Sequence, residues 1–405
     1  MIRSSLTPTT DATIPKLTNN LFPVTSTLLP VAIGANGGAT YPAGSQFIAV
    51  IISEHPINPY VQQWSLSVQR ELAANTTLEL NYVGNKGTHL LDRTNINQPF
   101  PVANPALCQA DPTTADCPAT SRTPYPNFTN TTGTLDSRWD GYSNYNAGNV
   151  KLERRTNDLA LLAVYTYARS MDDKSAAAGI GATNGYAGHM DDHDPKLDYA
   201  RSDFDVDQRF VASYVANLPF GHGQKYLGNA NKAANLAVGG WQLTGIATFQ
   251  RGFPFSVQAN DSFSLLEAYN QRANVVSNPT SGFHKNVNKW FNTAAFTQPL
   301  AGEFGNSGRN ILREPGINNW DMGLGKNFAI GERANFQLRL ESFNTFNHTQ
   351  WGVDPTSPSA AASGPGTGAV DRNVNDQAPS ANTNFGRITS ARPGRVLQLG
   401  GKITF

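Results

Sequence analysis

Phe336-Gln337-Leu338-Arg339-Leu340-Glu341 is the stretch whose reading decides the fold. Its even positions are apolar, and its odd positions carry an amide, a guanidinium and a carboxylate. Period-two alternation puts these two sets on opposite sides of a β-strand, where a helix would mix them. The same grammar recurs on either side. Leu397, Leu399, Ile403 and Phe405 oppose Gln398, Lys402 and Thr404. Trp320, Met322, Leu324 and Phe328 oppose Asp321 and Asn327, and Trp241, Leu243 and Phe249 oppose Gln242, Thr244, Thr248 and Gln250. Near the start, Trp64, Leu66 and Val68 oppose Gln63, Ser65, Ser67 and Gln69, while Leu78, Leu80 and Tyr82 oppose Glu79 and Asn81. The pattern predicts about nine strands, near 60–72, 75–84, 142–155, 159–170, 205–217, 239–250, 319–329, 334–346 and 394–405. The apolar stretch 45–53 is a candidate tenth.

Between these strands the connections alternate in length. Tight turns fall near Ala73–Asn75, Thr156–Asp158 and Gly331–Asn335, with a moderate connection from Pro219 to Gly239. Long segments rich in Pro, Gly, Asn, Ser and Asp cover 85–141, 171–204, 251–318 and 347–393. Compact soluble domains rarely carry four such loops. Transmembrane β-barrels do, with short turns on the periplasmic side and long loops outside. The expected fold is therefore all-β, an antiparallel transmembrane β-barrel in up-and-down order, incomplete at nine or ten strands and so an open curved sheet. Trp64, Tyr82, Tyr142, Trp241, Phe249, Trp320, Phe328 and Phe405 are placed to form interfacial aromatic girdles. The competing fold is a β-sandwich burying those aromatics, with Trp64, Leu338 and Leu399 together in its core.

Composition agrees. Only 15% of the 405 residues are charged, and 31 basic residues balance 30 acidic ones to a net charge of +1. That gives no electrostatic case for nucleic acid. No run reaches the roughly 18 apolar residues of a transmembrane helix, which excludes helical spans and leaves short alternating strands as the way across a bilayer. Met1–Leu6 has no apolar core of a signal peptide, so an export signal is expected outside this sequence. Cys108 and Cys117 lie in one loop-like stretch, where a local disulfide is feasible in an oxidising compartment; free thiols are the alternative in a reducing one.

Several phrases are recognisable as a set. Asn58–Glu71 (NPYVQQWSLSVQRE) precedes Glu79–Leu90 (ELNYVGNKGTHL), then Asn149–Arg155 (NVKLERR) and Tyr165–Asp173 (YTYARSMDD). Ser202–Tyr214 (SDFDVDQRFVASY) and Leu218–Gly221 (LPFG) follow. Phe291–Phe296 (FNTAAF), Gly305–Asp321 (GNSGRNILREPGINNWD) and Glu341–His348 (ESFNTFNH) complete the order. From about residue 56 to Phe405 the chain resembles the C-terminal barrel portion of Oar-like TonB-dependent outer-membrane transporters of the acidobacterial type. The resemblance implies a plugged barrel of about 22 strands in the bacterial outer membrane, energised through a plug by a TonB-type protein, with no cofactor and no enzymatic activity. Nine strands cannot close such a barrel. The expectation is that 57–405 is a trailing portion, that 1–56 is an outer loop or partial strand, and that the plug and the other strands are missing here. The competing functions are an adhesive or surface-organising barrel and a soluble lectin-like module.

On the barrel reading Gln63, Glu79, Asn81, Gln242, Gln337, Arg339, Glu341, Gln398 and Lys402 line the lumen. Arg154, Arg155, Arg209, Arg339 and Glu341 face the lumen or its rim, most simply paired across neighbouring strands. One cluster invites a metal reading: His189, Asp191, Asp192, His193 and Asp194, followed by Asp198, Asp203, Asp205 and Asp207. Two histidines four apart suggest a zinc-protease helix, but Met190 stands beside the first where a catalytic Glu belongs, and Gly188 and Pro195 oppose a helix. A solvated acidic loop is the plainer reading, with Asp203–Asp207 ordering the next strand. Gly305, Gly308, Arg309, Asn310 and Gly316 lack the spacing of a phosphate loop and read as a tight loop entering the seventh strand. No catalytic constellation is visible.

Overall fold

The computed structural model describes residues 57–125, 134–175, 189–266, 271–330, 334–352 and 384–404, together with the short pieces 3–4, 32–33, 39–40, 49–52, 370 and 373–374. Nine long strands follow the chain: β1 (Tyr60–Ala73), β2 (Thr76–Asn95), β3 (Thr134–Arg155), β4 (Leu159–Asp172), β5 (Gln208–Asn217), β6 (Trp241–Gln250), β7 (Ile317–Ile330), β8 (Ala334–Phe343) and β9 (Val396–Thr404). Each pairs antiparallel with its neighbour in sequence, so the sheet runs β1 to β9 without a crossover. Among the described residues β1 pairs only with β2, and β9 only with β8. The sheet is not closed.

Up-and-down order puts every tight turn at one end. Asn75 stands in the β1–β2 turn with φ 62°, the left-handed conformation that Asn tolerates better than branched residues. The β3–β4 turn is closed by the Thr156 N–H donating to the Leu159 carbonyl (2.8 Å). The long connections gather at the other end.

β2 and β3, of 20 and 22 residues, run well past the predicted limits at 84 and 142. A bilayer needs only about 9–11 residues of tilted strand. The extra length is a polar ribbon from Asn85 to Asn95 against Thr134 to Tyr145, with register shifts around Leu90. No lipid imposes alternation there, so the pattern that marks the rest of the strands is lost. The candidate tenth strand needs a second correction. Ala49–Ile52 pairs parallel with Thr134–Ser137, beside β3, and is not a further antiparallel stave outside β1. The pairing of β4 with β3 stops at Ser143, which leaves that edge of the long strand available.

The registers fix the faces. Val68 opposes Leu80, Leu80 opposes Val150, Phe210 opposes Phe249, Leu243 opposes Leu324, and Leu340 opposes both Leu324 and Leu399. One face of the sheet is thus apolar from end to end. Among the described residues no second sheet packs over it: Leu66 is 66% exposed, Leu399 70% and Trp64 41%. This overturns the sandwich, which required those residues to share a core.

Candidate functional site

All nine residues read as lumen-facing fall on the opposite, polar face. Gln69 opposes Glu79 and Ser67 opposes Asn81, on the side that also carries Gln63. Asn217 opposes Gln242, and the line continues through Gln337, Arg339 and Glu341 to Lys402 and Gln398. Neighbouring polar side chains on this face meet. Ser67 Oγ donates to Glu79 Oε1 (3.2 Å), Lys151 Nζ lies 3.3 Å from Glu79, and Gln337 Nε2 donates to Asn327 Oδ1 (2.9 Å). Gln242 Nε2 donates to Asn217 Oδ1 (3.0 Å). Arg155 shares the face and pairs with Glu153 at 2.7 Å, and Arg209 sits there opposite Gln250. Arg154 departs from expectation. Its register with Thr76 and Leu161 puts it on the apolar face, one residue from the strand end. An arginine there reaches the water boundary with its head while its stem stays apolar.

The girdle residues separate into two groups on the apolar face. Phe249 packs edge-on against Trp320 (5.6 Å), with Phe210 and Phe346 beside them, at the long-loop end. Trp241, Phe328 and Phe336 lie at the short-turn end. Trp241 and Phe249 are eight residues apart on one strand, about 27 Å along it. A tilt of 35–45° reduces that to about 20 Å, close to the apolar band of about 25 Å in transmembrane barrels. Trp64 and Tyr82 share the apolar face and join through Trp64 Nε1 to Tyr82 Oη (3.3 Å). Tyr142 stacks on Tyr199 from the loops instead (4.9 Å), and Phe405 lies outside the described residues.

The described parts of the long connections pack into a cap with two cores of its own. Phe255, Val257, Ala273, Phe291, Ala295, Phe296 and Leu312 come from the β6–β7 connection and are joined by Val370, Val374 and Ile388 from the β8–β9 connection. Val102, Leu265 and Ala301 surround the second core, which contains Cys108 and Cys117. Those cysteines are bonded to each other, with Cα atoms 5.5 Å apart, at the end of the short helix Pro105–Ala110.

Between cores and wall lies a buried polar network, and the acidic cluster supplies much of it. His189, 2% exposed, is held between two carboxylates: Nε2 is 2.6 Å from Asp92 Oδ2 on β2, and Nδ1 is 3.2 Å from Asp198 Oδ2. Lys174 Nζ takes the other oxygen of Asp92 (2.6 Å), and Arg272 pairs with the other oxygen of Asp198. Burial works against the charge on His189, but its bonds to Asp198 and Asp92 outweigh it and lift the imidazole to about 9. Burial likewise opposes ionisation of Asp92, and His189 with Lys174 overcomes it, leaving this carboxyl at about 2. Asp198 is also held below the ordinary range: burial opposes this, and His189 and Arg272 prevail. Asp192 behaves in the opposite sense. Burial pushes it up to about 7, although the Asn95 N–H donates to one oxygen (2.9 Å).

This corrects the reading of a solvated acidic loop. Asp192, Asp198, Asp205 and Asp207 are all buried. The metal reading fares no better. Both His189 nitrogens are engaged, His193 stacks on Phe100 (4.2 Å) with its Nε2 on the Gln98 carbonyl (3.0 Å), and Asp191 accepts from the His193 N–H (2.9 Å). Asp194 precedes a single 3-10 turn. Among the described residues no group of three or more His, Cys, Asp or Glu side chains could hold a metal ion.

A second set joins two of the recognised phrases in space. Arg313 Nη2 lies 2.6 Å from Asp205 and 3.3 Å from Asp207, and Arg201 Nη1 is 2.7 Å from Asp205. The other Asp205 oxygen accepts from the Ser170 N–H (2.7 Å), which starts β5 against β4. Asn310 Nδ2 donates to Asp203 Oδ1 (2.7 Å), and Arg309 pairs with Asp172. Gly305 and Gly316 permit this approach: a Cβ at either would collide with the carbonyl of Arg272 or Gln250. Sequence reasoning placed Arg309 and Asn310 in a tight loop but found no partner for Arg201, Arg272 or Arg313. Cation and carboxylate lie more than 70 residues apart in two of those pairs, Arg313–Asp205 and Arg272–Asp198, and no local pattern marks them.

A wall apolar on one side and polar on the other, with tight turns at one end and a packed cap at the other, is the form of an outer-membrane barrel. Residues 2–398 match the family described as outer membrane beta barrel domain. The chain belongs to that family. As a member of it, this barrel domain resides in the bacterial outer membrane, in contact with lipid, and the family is typically non-enzymatic. Among solved structures the barrel domain is similar to the outer membrane transporter YddB from Escherichia coli, with TM-score 0.41 and 10% identity over 88% of this chain and 34% of that one. It is also similar to P. aeruginosa FpvA bound to heterologous pyoverdines (TM-score 0.35, 10% identity, 85% and 27% of the chains) and to FpvAI in complex with pyocin S2 (TM-score 0.35, 10% identity, 85% and 28%). The chain spans about a third or less of the length of these structures. No curated protein matches it.

Proposed function

We propose that the barrel domain is the C-terminal wall of a TonB-dependent outer-membrane transporter or receptor of the Oar-like kind, taking up a solute through an energised cycle. The observation that carries this reading is the position of the recognised phrases: Ser202–Tyr214 and Gly305–Asp321 meet where cap and wall join, through Arg313, Asp205, Asn310 and Asp203. In this reading the apolar face meets lipid, the polar face from Gln63 to Lys402 lines the lumen, and the short turns are periplasmic. The long-loop cap receives the solute outside the cell. Further strands and a plug complete the barrel, and a TonB-type protein acts through that plug. An adhesive or surface-organising role draws support from the packed, disulfide-braced cap.

The test is to delete the gene and compare which solutes disappear from the growth medium, with and without a protonophore. The transporter reading expects at least one solute whose depletion requires both the gene and the proton gradient. Unchanged depletion together with lost cell-to-cell or surface contact would replace it with the adhesive role.

A further inference from the structure

Among the described residues, the β5–β6 connection is the tight-end segment with a helix of its own. It carries Phe220, Tyr226, Leu227 and Leu236 between 40% and 62% exposed, an unusual concentration for a short stretch in water. Between Asn217 and Trp241 it has Lys225 and Lys232 but no Asp or Glu. The segment is ordered. Asn231 caps the helix Lys232–Val238 by accepting from the Ala234 N–H (2.8 Å), and Asn235 Oδ1 accepts from the His222 N–H (2.8 Å), tying helix to loop. Phe220 and Tyr226 lie ring to ring at 5.6 Å, with Lys225 Nζ 5.4 Å from the tyrosine ring.

The direction in which it leans is fixed by two residues of the wall. Trp241 Nε1 donates to the Ala237 carbonyl (2.8 Å), and Lys326 Nζ donates to the Ala237 carbonyl (3.3 Å) and to that of Gly239. Trp241 and Lys326 are register partners on the apolar face, beside Leu243 and Leu324. The helix is therefore fastened to the outer side of the wall, with Leu236 exposed on it and Phe220, Tyr226 and Leu227 exposed on the loop that precedes it.

We propose that this segment is an interfacial anchor lying on the periplasmic leaflet. Leu227, Leu236, Phe220 and Tyr226 sink to headgroup depth, and Lys225 and Lys232 contact anionic phospholipid headgroups. Short basic segments with Leu and aromatic residues bind membrane surfaces in this way. The proposal rests on the orientation given above, with the apolar face in lipid and the short turns periplasmic.

The test uses the full chain with one added thiol, since Cys108 and Cys117 are bonded to each other. Leu236→Cys, spin-labelled, is compared with Asn157→Cys in the β3–β4 turn and Leu340→Cys on the apolar face, in phosphatidylethanolamine–phosphatidylglycerol vesicles and in phosphatidylcholine. Accessibility to oxygen and to a water-soluble nickel complex is read at each site. The label at 236 is expected to favour oxygen and exclude nickel, unlike that at 157. Lys225→Gln and Lys232→Gln should each lower the docked-to-free ratio about fivefold in the anionic vesicles. A label at 236 as open to nickel as that at 157 overturns the proposal and leaves the patch to a soluble partner. Equal shielding in the two lipids contradicts the charge-directed contact. Nickel access at 340 contradicts the underlying orientation itself, so the two failures are told apart.

Discussion

The wall and the cap of this barrel domain bury opposite things. In the wall, leucines, tyrosines and tryptophans face outward, and the backbone is satisfied by the ladder between neighbouring strands. In the cap, aspartates, Arg272 and a histidine are buried, and much of the backbone has no ladder. There the carboxylates stand in for it: Asp192 accepts from Asn95 N, Asp198 from Met190 N, Asp205 from Ser170 N and Asp173 from Tyr142 N. The difference follows from the surrounding medium. A barrel wall in lipid must close its own hydrogen bonds and leave apolar side chains outside. An aqueous cap made of irregular loops has to satisfy isolated amides one at a time, and charged side chains then need partners of their own.

This contrast can be broken most severely in the cap. Asp198 bridges His189 and Arg272, so Asp198→Ala leaves two buried cations short of a partner. Removing one member of a buried pair costs about 3–5 kcal/mol. The expected outcome is rapid proteolysis within the cap segments 189–207 and 271–313, with the wall strands, β5 and β6 included, still protected. Equal loss of wall and cap would mean that the two are one cooperative unit. In the wall, Leu340→Arg should cost about 2–4 kcal/mol when the site lies near the bilayer midplane, read as a lower midpoint for unfolding from vesicles. Gln337→Arg, three residues away on the polar face, should change little. Opening the Cys108–Cys117 loop by a double Ser substitution should weaken the cap by about 2–3 kcal/mol, visible as faster hydrogen exchange around Val102 and Ala301.

The smallest effect is one of pH. His189 has its value raised to about 9, so its contribution is full below its ordinary 6.5 and is lost as pH rises through 9. Asp192 is also raised, from 3.8 to about 7, so its contribution falls away as pH rises towards and through 7. Asp92 is lowered to about 2, so its contribution holds above 3.8 and is lost as pH falls through 2. Hydrogen exchange in the cap, corrected for intrinsic rates, should be slowest near pH 4 and quicken as pH rises, through Asp192 between 3.8 and about 7 and through His189 between 6.5 and about 9, and then level off. An unchanging rate from pH 5 to pH 10 would contradict the assigned network.

The same contrast explains what the sequence made legible. Gln337, Arg339 and Glu341 alternate with Phe336, Leu338 and Leu340 because lipid lies on one side of β8, and a two-residue period is visible in any short window. The strand order, the turns and the polar face could all be read from such windows. The extension of β2 to Asn95 could not, since Lys86 to Thr94 rise above the lipid and nothing forces alternation there. The fate of His189 was likewise hidden. Its partners, Asp92 and Asp198, lie 97 and 9 residues away, and only the folded cap brings them to its two nitrogens. The acidic run from Asp191 to Asp207 looked solvated because its cations, Arg272 and Arg313, come from another connection.

The most direct test of the two-faced wall is to place single cysteines at each position from 336 to 341 in turn and expose isolated outer membranes to a membrane-impermeant maleimide. The account predicts alternation: cysteines at 337, 339 and 341 react, and those at 336, 338 and 340 are protected until detergent is added. Uniform reaction at all six positions, or protection of the odd set, would contradict it.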